Sequence, residues 1–357
     1  MDSAELVNLV RLLSSRGAAR SLVRSVARET WQRGGSSGDA IERLRRDHDA
    51  TFPSQRAVRG ELDAIDRLAI GVLDVRDDAF PALLREIPDA PIALFVRGQA
   101  TALTVPLSVA VIGSRRATAS GKAFGSALAQ DLARAKIAVV SGLARGIDGA
   151  AHRGALDGGG VTVAVMGGGH ARVYPPSHRG LANRIVEAGA LVCEYPPSTA
   201  PLPANFPERN RIISGLCAAV VIVEATRRSG TSITARMALE QGRDVMAVPG
   251  SIGGGLHSGC HRLIRQGALL VEGIADVLEG LGLAPPAAAA AVPLDPRHAR
   301  ILDAIRSSGT TLHDIVESLG ISVDEALSAL VELEIEGFVT PHRGGYIRRP
   351  LTTQERR

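Results

Sequence analysis

The chain has 357 residues, 41 Lys plus Arg against 37 Asp plus Glu, a net charge of +4 and 45% hydrophobic residues. That suffices for one large core with small accessory domains, but the charge is too small to mark a nucleic-acid binder unless it is clustered. Three cysteines without paired spacing, no cleavable apolar leader and no apolar run of membrane-spanning length argue against a secreted disulfide domain and a membrane protein, so a cytoplasmic location is expected.

In chain order, residues 1–75 carry helical periodicity in AELVNLVRLL, SLVRSVARETW and AVRGELDAIDRLAI, interrupted by the polar stretch 34–39. A small helical domain with a packing or interaction role is expected there. From 76 to 282 short apolar segments recur at 107–112, 137–140, 161–166, 218–223 and 245–248, and nearly each is followed by Gly or Ser opening a helical stretch. Continuously apolar strands that alternate with helices are the units of an open, parallel α/β sheet. Ligands bind such sheets outside the carboxyl ends of the strands, where the turns read GSRRATASG, SGLARGID, GGGH, EATRRSGT and PGSIGGG.

A helix N-terminus offers unsatisfied N–H groups, and a Gly-rich turn lets them approach a phosphate closely. Arg115, Arg116, Arg145, Arg227 and Arg228 add formal charge at these turns. Arginine grips phosphate oxygens with two parallel hydrogen bonds, so nucleotide or nucleic-acid phosphates fit better than a neutral substrate. The named nucleotide motifs fail: Gly121-Lys122 is followed by Ala123 rather than Ser or Thr, and no GxGxxG follows Ile112. His257, Cys260 and His261 resemble zinc ligands in type, but no CxxC spacing supports them, and no metal is expected.

Phe206, beside Pro207 and Arg209, is a candidate base stacker whose commoner fate is packing under its loop. With only 3% aromatic residues, an extended stacking platform is not expected, and phosphate contacts should dominate. Asp148 reads as a helix cap and His152 as a packed helix residue.

Residues 283–294, LAPPAAAAAVPL, form an uncharged Pro/Ala linker. Residues 295–347 then read as helices over 296–307, 311–319 and 322–336 followed by a hairpin turning at Gly344-Gly345, the winged-helix order. Ser322 with Glu325 predicts a capping box on the third helix, with Leu327, Leu330 and Val331 as its buried face. Asp324, Glu325, Glu332, Glu334 and Glu336 make that helix acidic, which favours protein contact or a degenerate domain over DNA binding.

Several long segments together resemble one family. VAVIGSR at 109–115, SGLARGIDGAAH at 141–152, VYP at 173–175, CEYPP at 193–197, FPERNRIISGL at 206–216 and VEATRRSGTSITARMALEQGRDVMAVPG at 223–250 are similar to the DNA-processing protein A (DprA/Smf) family, over about residues 60–347. The resemblance implies a Rossmann-like domain that binds single-stranded DNA in a basic pocket and hands it to the RecA recombinase during natural transformation. It implies a homodimer, no cofactor and no catalysis. An N-terminal helix-hairpin-helix or SAM-like unit is frequent in the family. Carried over, the binding residues are Gly113, Ser114 and Arg115; Ser141, Gly142 and Gly146; Arg209, Asn210 and Arg211; and Gly230 and Thr231 of the Gly-Thr loop. The family's lysine after Tyr-Pro is missing, since Pro176, Ser177 and His178 follow Tyr174-Pro175, and Arg172 or Arg179 is the expected substitute. An alternative is a nucleotide-sensing or nucleoside-monophosphate phosphoribohydrolase-like enzyme, but the segment 228–234 keeps Gly-Thr without the Pro-Gly-Gly lead or the following glutamate of those hydrolases. Glu224 and Glu240 remain as carboxylates near that loop, and hydrolysis would need one of them within reach of a bound sugar.

Overall fold

Four helices open the chain: α1 (Ser3–Leu13), α2 (Arg20–Gln32), α3 (Ser37–His48) and α4 (Gln55–Arg67). Three begin at side-chain caps, with Asp2 accepting from the Glu5 N–H, Ser54 from the Ala57 N–H, and Ser36 forming a reciprocal box with Asp39. Their apolar faces meet through Leu9, Val10, Val23, Ile41 and Leu44, and the same cluster continues into Ile92, Phe95, Leu191 and Tyr195 of the sheet. The helical domain thus shares a core with the sheet domain. This computed structural model describes residues 2–227, 229–252, 255–284, 295–306, 309–335, 338–342 and 344–348; Arg228, linker positions 285–294 and Glu336 lie outside the described residues.

The sheet starts earlier than periodicity suggested, at β1 (Ile70–Asp74), inside the segment assigned to the helical domain. After α5 (Ala82–Arg85), β2 (Ala93–Gly98) pairs antiparallel with β1 and with β6 (Ala190–Cys193). The remaining strands are parallel: β3 (Ser108–Ile112), β4 (Ala138–Ser141), β5 (Thr162–Val165), β7 (Ala219–Ile222), β8 (Asp244–Ala247) and β9 (Leu269–Leu270). The order is β1-β2-β6-β5-β4-β3-β7-β8-β9, so the expected open parallel sheet is present with an antiparallel pair added at one edge. Such an edge on a doubly wound sheet is common. Five of the parallel strands are the five apolar runs read from sequence; β6 is only four residues long and β9 two, with both β9 residues exposed.

Helices α6 (Ala119–Arg134), α7 (Ile147–Asp157), α8 (Arg179–Ala188), α9 (Asn205–Gly215), α10 (Thr231–Glu240), α11 (Ser258–Arg265) and α12 (Ile274–Gly280) connect these strands. Two apolar clusters result, one holding Val140, Val165, Ile212 and Ile222 and the other Val109, Val139, Ile147 and Val221. From β3 the sheet grows one way through β4, β5 and β6 and the other way through β7, β8 and β9. This reversal leaves a crevice beyond the carboxyl ends of β3 and β7.

A separate cluster of Ile301, Leu302, Ile315, Leu330, Leu333 and Val339 holds the winged-helix domain: α13 (Pro296–Ala304), α14 (Leu312–Leu319), α15 (Val323–Ile335) and the hairpin β10 (Val339–His342) with β11 (Gly345–Arg348). Ser322 accepts from the Glu325 N–H, as its spacing suggests. The buried face of α15 differs from the expected one. Ala326, Ala329, Leu330 and Leu333 are buried, whereas Leu327 and Val331 are exposed. Positions 326, 329, 330 and 333 follow the i, i+3, i+4, i+7 stripe, and 327 and 331 fall beside it.

Candidate functional site

A cavity of about 360 Å³ occupies the crevice at the β3/β7 reversal. Its floor comes from Gly113, Ser114 and Arg115 after β3, one wall from Phe206, Arg209, Asn210 and Ile213 of α9, and the other from Gly230, Thr231 and Thr234 at the start of α10. Neither α7 nor α10 has a side-chain cap at its N-terminus. Backbone carbonyls take up several of their first amides instead: Ile147 and Gly149 donate to Ser114 and Ala144, and Ser232 and Ile233 to Ser229 and Gly230, so the helix dipoles rather than free amides are what the two ends offer an anion.

The charges divide by depth. Arg209 is 4% exposed, and its guanidinium donates to the carbonyls of Gly142, at 2.7 Å, and Val165. Burial pulls its pKa down to about 10, with the carboxylate of Asp148 opposing that fall. Asp148 is also buried; desolvation pushes its pKa up against the pull of Arg209. Its oxygen accepts from the Ala144 N–H at 3.4 Å, so it braces the α7 entry and faces Arg209 instead of serving as the N-cap, which is Gly146. Arg115 is exposed, and its guanidinium lies 5.3 Å from the centroid of Phe206. Among the described residues, Arg115, Arg116, Arg145, Arg172, Arg179 and Arg227 form no ion pair. Of these, Arg115 lines the cavity, where an unpaired guanidinium suits a phosphate.

Phe206 is half-buried, and Tyr174, 47% exposed, meets it at a ring-centroid distance of 5.5 Å. Composition argued against an extended stacking platform. The fold nevertheless brings two rings together, tilted by 58°, because the loop after β5 folds back over the start of α9, with Arg115 and Arg209 both over the Phe206 ring. Tyr174 stands in the VYP segment, but its pairing with Phe206 is a long-range contact that no local spacing announces.

Other predicted positions stand behind the crevice. The Ser141 hydroxyl donates to the Val111 carbonyl at 2.7 Å and ties β4 to β3. Gly142 leaves room for Arg209, whose guanidinium would lie 2.5 Å from a β-carbon there. Gly146 has φ +84°, and a β-carbon on it would lie 2.1 Å from the Ser114 carbonyl, so only glycine lets α7 begin against the β3 loop. Arg211 faces away from the crevice into a buried network, where it pairs with Glu194 and, at 3.3 Å, with Asp89. Arg24 of α2 joins the same carboxylates and Glu208. Arg179 begins α8 and does not line the cavity. His178, near the expected lysine position, shares a hydrogen bond between its Nδ1 and the Leu143 carbonyl at 3.0 Å.

Glu224 is fully buried after β7. Its carboxylate accepts from the Thr118 N–H at 3.1 Å and hydroxyl at 2.9 Å, and its carbonyl accepts from the Ser114 N–H at 2.7 Å. It is a positioning residue for the Ser114–Arg115 loop. Among the described residues no His/Cys/Asp/Glu cluster could hold a metal, and all three cysteines are free and buried.

The family model for DNA recombination-mediator protein A matches residues 71–282, and that for the DprA winged-helix domain matches residues 285–345. The chain belongs to the DprA/Smf family. It is 39% identical over 313 residues to Protein Smf of Escherichia coli K12, covering 84% of this chain and 82% of that protein. It is 47% identical over 204 residues to the DNA processing protein DprA of Streptococcus pneumoniae R6, covering 57% and 72%. Among solved structures, Streptococcus pneumoniae DprA superposes with TM-score 0.66 at 34% identity over 78% of this chain and 98% of that one. Helicobacter pylori DprA, a structure described for its single-stranded DNA binding mode, superposes with TM-score 0.53 at 28% identity over 59% and 95%. In DprA terms, the crevice is built from segments 113–115, 206–213 and 229–234 with Thr226, all within the family match. Among the described residues no helix is long and apolar enough to cross a membrane.

Proposed function

We propose that this DprA-family chain binds single-stranded DNA in the β3/β7 crevice, protects it and loads the RecA recombinase onto it during transformation and recombination. The observation that carries the reading is the unpaired Arg115 lying against the Tyr174–Phe206 pair in a crevice that the start of α10 also lines. Arginine and helix dipoles suit phosphates, and exposed aromatic faces suit unpaired bases, which a duplex keeps stacked. Gly113, Ser114, Asn210, Gly230 and Thr231 line the path, with Arg209 in its wall. Arg179 supplies charge along the Tyr174 loop in place of the absent lysine. Binding rather than catalysis is the role, in the cytoplasm, as a homodimer built on the sheet domain. A hydrolytic reading lacks a free carboxylate in Glu224, whose carboxylate is engaged by Thr118.

The test is fluorescence anisotropy of labelled oligothymidine and of a duplex across a salt titration. The single strand should bind more tightly, and Arg115→Ala should flatten the log–log salt slope by roughly one unit for all sequences alike. An unchanged slope removes Arg115 from the site, and binding of mononucleotides alone would favour the nucleotide-sensing alternative. Recombinase loading is read separately, as faster RecA filament growth on single strands in the presence of the wild type than of Arg115→Ala.

A further inference from the structure

The helical domain carries a second concavity, of about 420 Å³, lined by Arg16, Thr51, Phe52, Pro53, Glu61 and Ser198, among others. Phe52 is half-buried, and the guanidiniums of Arg11 and Arg45 lie over its ring at 5.9 and 5.7 Å from the centroid. Arg45 is shared with Glu42 at 2.8 Å, whereas Arg11 and Arg16 form no ion pair among the described residues. The one carboxylate in the lining, Glu61, is engaged by the N–H of Ser198, at 3.0 Å, and by its hydroxyl. Guanidiniums over an aromatic ring beside an unpaired, exposed Arg16 give this surface the chemistry that suits bases and phosphates.

Position makes this surface more than an isolated patch. Ser198 lies in the loop that leaves the carboxyl end of β6 and runs on to Phe206 in the crevice. That loop is braced along its length by the Tyr174 loop, with the Gly169 N–H donating to Thr199 and the Ala171 N–H to Pro197, both at 2.9 Å. In the sheet, β6 and β3 are three strand steps apart, which is about 14 Å. The loop 194–205 thus connects the two concavities, contributing Ser198 to one and leading into Phe206 of the other.

We propose that single-stranded DNA leaving the crevice continues along the 197–205 loop onto the helical domain, where Arg16 holds a phosphate and the Phe52–guanidinium stack supports bases. This extension rests on the crevice being the single-strand site. The experiment compares oligothymidines of about 4 and about 16 nucleotides, the range over which single-strand grooves vary. It uses the full chain and the variants Arg16→Ala, Phe52→Leu and Arg115→Ala. Arg16 is exposed and its backbone bridge to Thr51 does not depend on its side chain, so Arg16→Ala keeps the fold. For the longer strand Arg16→Ala should lower the salt slope by about one unit, and for the shorter strand leave it unchanged. Phe52→Leu should weaken only the longer strand, by about five-fold or more. If Arg115→Ala weakens both strands while Arg16→Ala leaves the longer one's slope intact, the crevice stands and the extension is overturned. If the wild type binds neither strand, the crevice reading and the extension fall together.

Discussion

Two residues apart on α9, Arg209 and Arg211 face different surroundings because each residue turns a helix by about 100°. Arg209 enters the crevice wall, where it holds the Gly142 and Val165 carbonyls, and Arg211 the buried ion network, so only one of the two arginines of this motif borders the proposed site. Gly146 is the residue with the least freedom to change. Its positive φ and its contact with the Ser114 carbonyl mean that Gly146→Ala should destabilise the fold by about 3 kcal/mol or more, read from urea denaturation. Wild-type stability in that variant would show that α7 does not need to start so close to the β3 loop. Tyr174 offers a cleaner functional probe because half of its ring is exposed. Tyr174→Ala should cost about 1–3 kcal/mol of single-strand affinity with little change in salt slope, and Tyr174→Phe should restore it. Equal affinity in all three proteins removes Tyr174 from the stack.

At the scale of elements, α9 is held from behind by α2. Arg24 and Glu194 are 5% and 2% exposed at their side chains and 3.2 Å apart, while Asp89 and Glu208 at the edge of the network are partly solvated. Removing Arg24 leaves Glu194 and Asp89 with Arg211 as a shared partner, so Arg24→Met should destabilise by about 3 kcal/mol, the lower end of the cost of breaking a buried pair. A double-mutant cycle with Glu194→Gln checks this, since additive losses would mean the pair is not coupled. The winged helix presents a different surface. On α15 Val323, Leu327, Val331 and Ile335 are exposed at four-residue spacing beside Asp324, Glu325, Glu332 and Glu334, an apolar and acidic face that repels phosphates. A chain ending at residue 284 should accordingly keep the oligothymidine affinity of the full chain; a large loss would place the winged domain on the DNA.

Over the whole molecule, acid stability is set by two buried histidines, one of them a helical turn behind Asp148 of the crevice. His152 is fully buried and donates or accepts only through Nδ1 with Thr162, and burial lowers its pKa from 6.5 to about 3. Burial likewise lowers that of His170 to about 4, against its hydrogen bond with the Phe95 carbonyl. The unfolded chain therefore binds protons that the folded chain refuses, so stability is full above the ordinary histidine value and falls as pH drops below it. Between pH of about 7 and about 5 each histidine should cost roughly 2 kcal/mol. His152→Gln should remove its share, visible as a smaller shift in the denaturation midpoint between those two conditions.

The α/β order, five of the parallel strands, the Gly-rich turns at their carboxyl ends and the winged-helix order were legible in the chain, because apolar runs and turn residues are local signals. So was the presence of arginine at those turns, including Arg115 and Arg145, whereas Arg209 was singled out by the family resemblance of FPERNR. The antiparallel edge was not, since β1 sits at the end of a helical pattern and its pairing is decided by β2 and β6. Nor could spacing show which arginine of FPERNR points where, that Asp148 and Glu224 brace the crevice, or that Tyr174 meets Phe206. Those outcomes depend on contacts between segments distant in sequence, which exist only once the sheet has reversed its order at β3 and brought the loops of β3, β5, β6 and β7 to one edge.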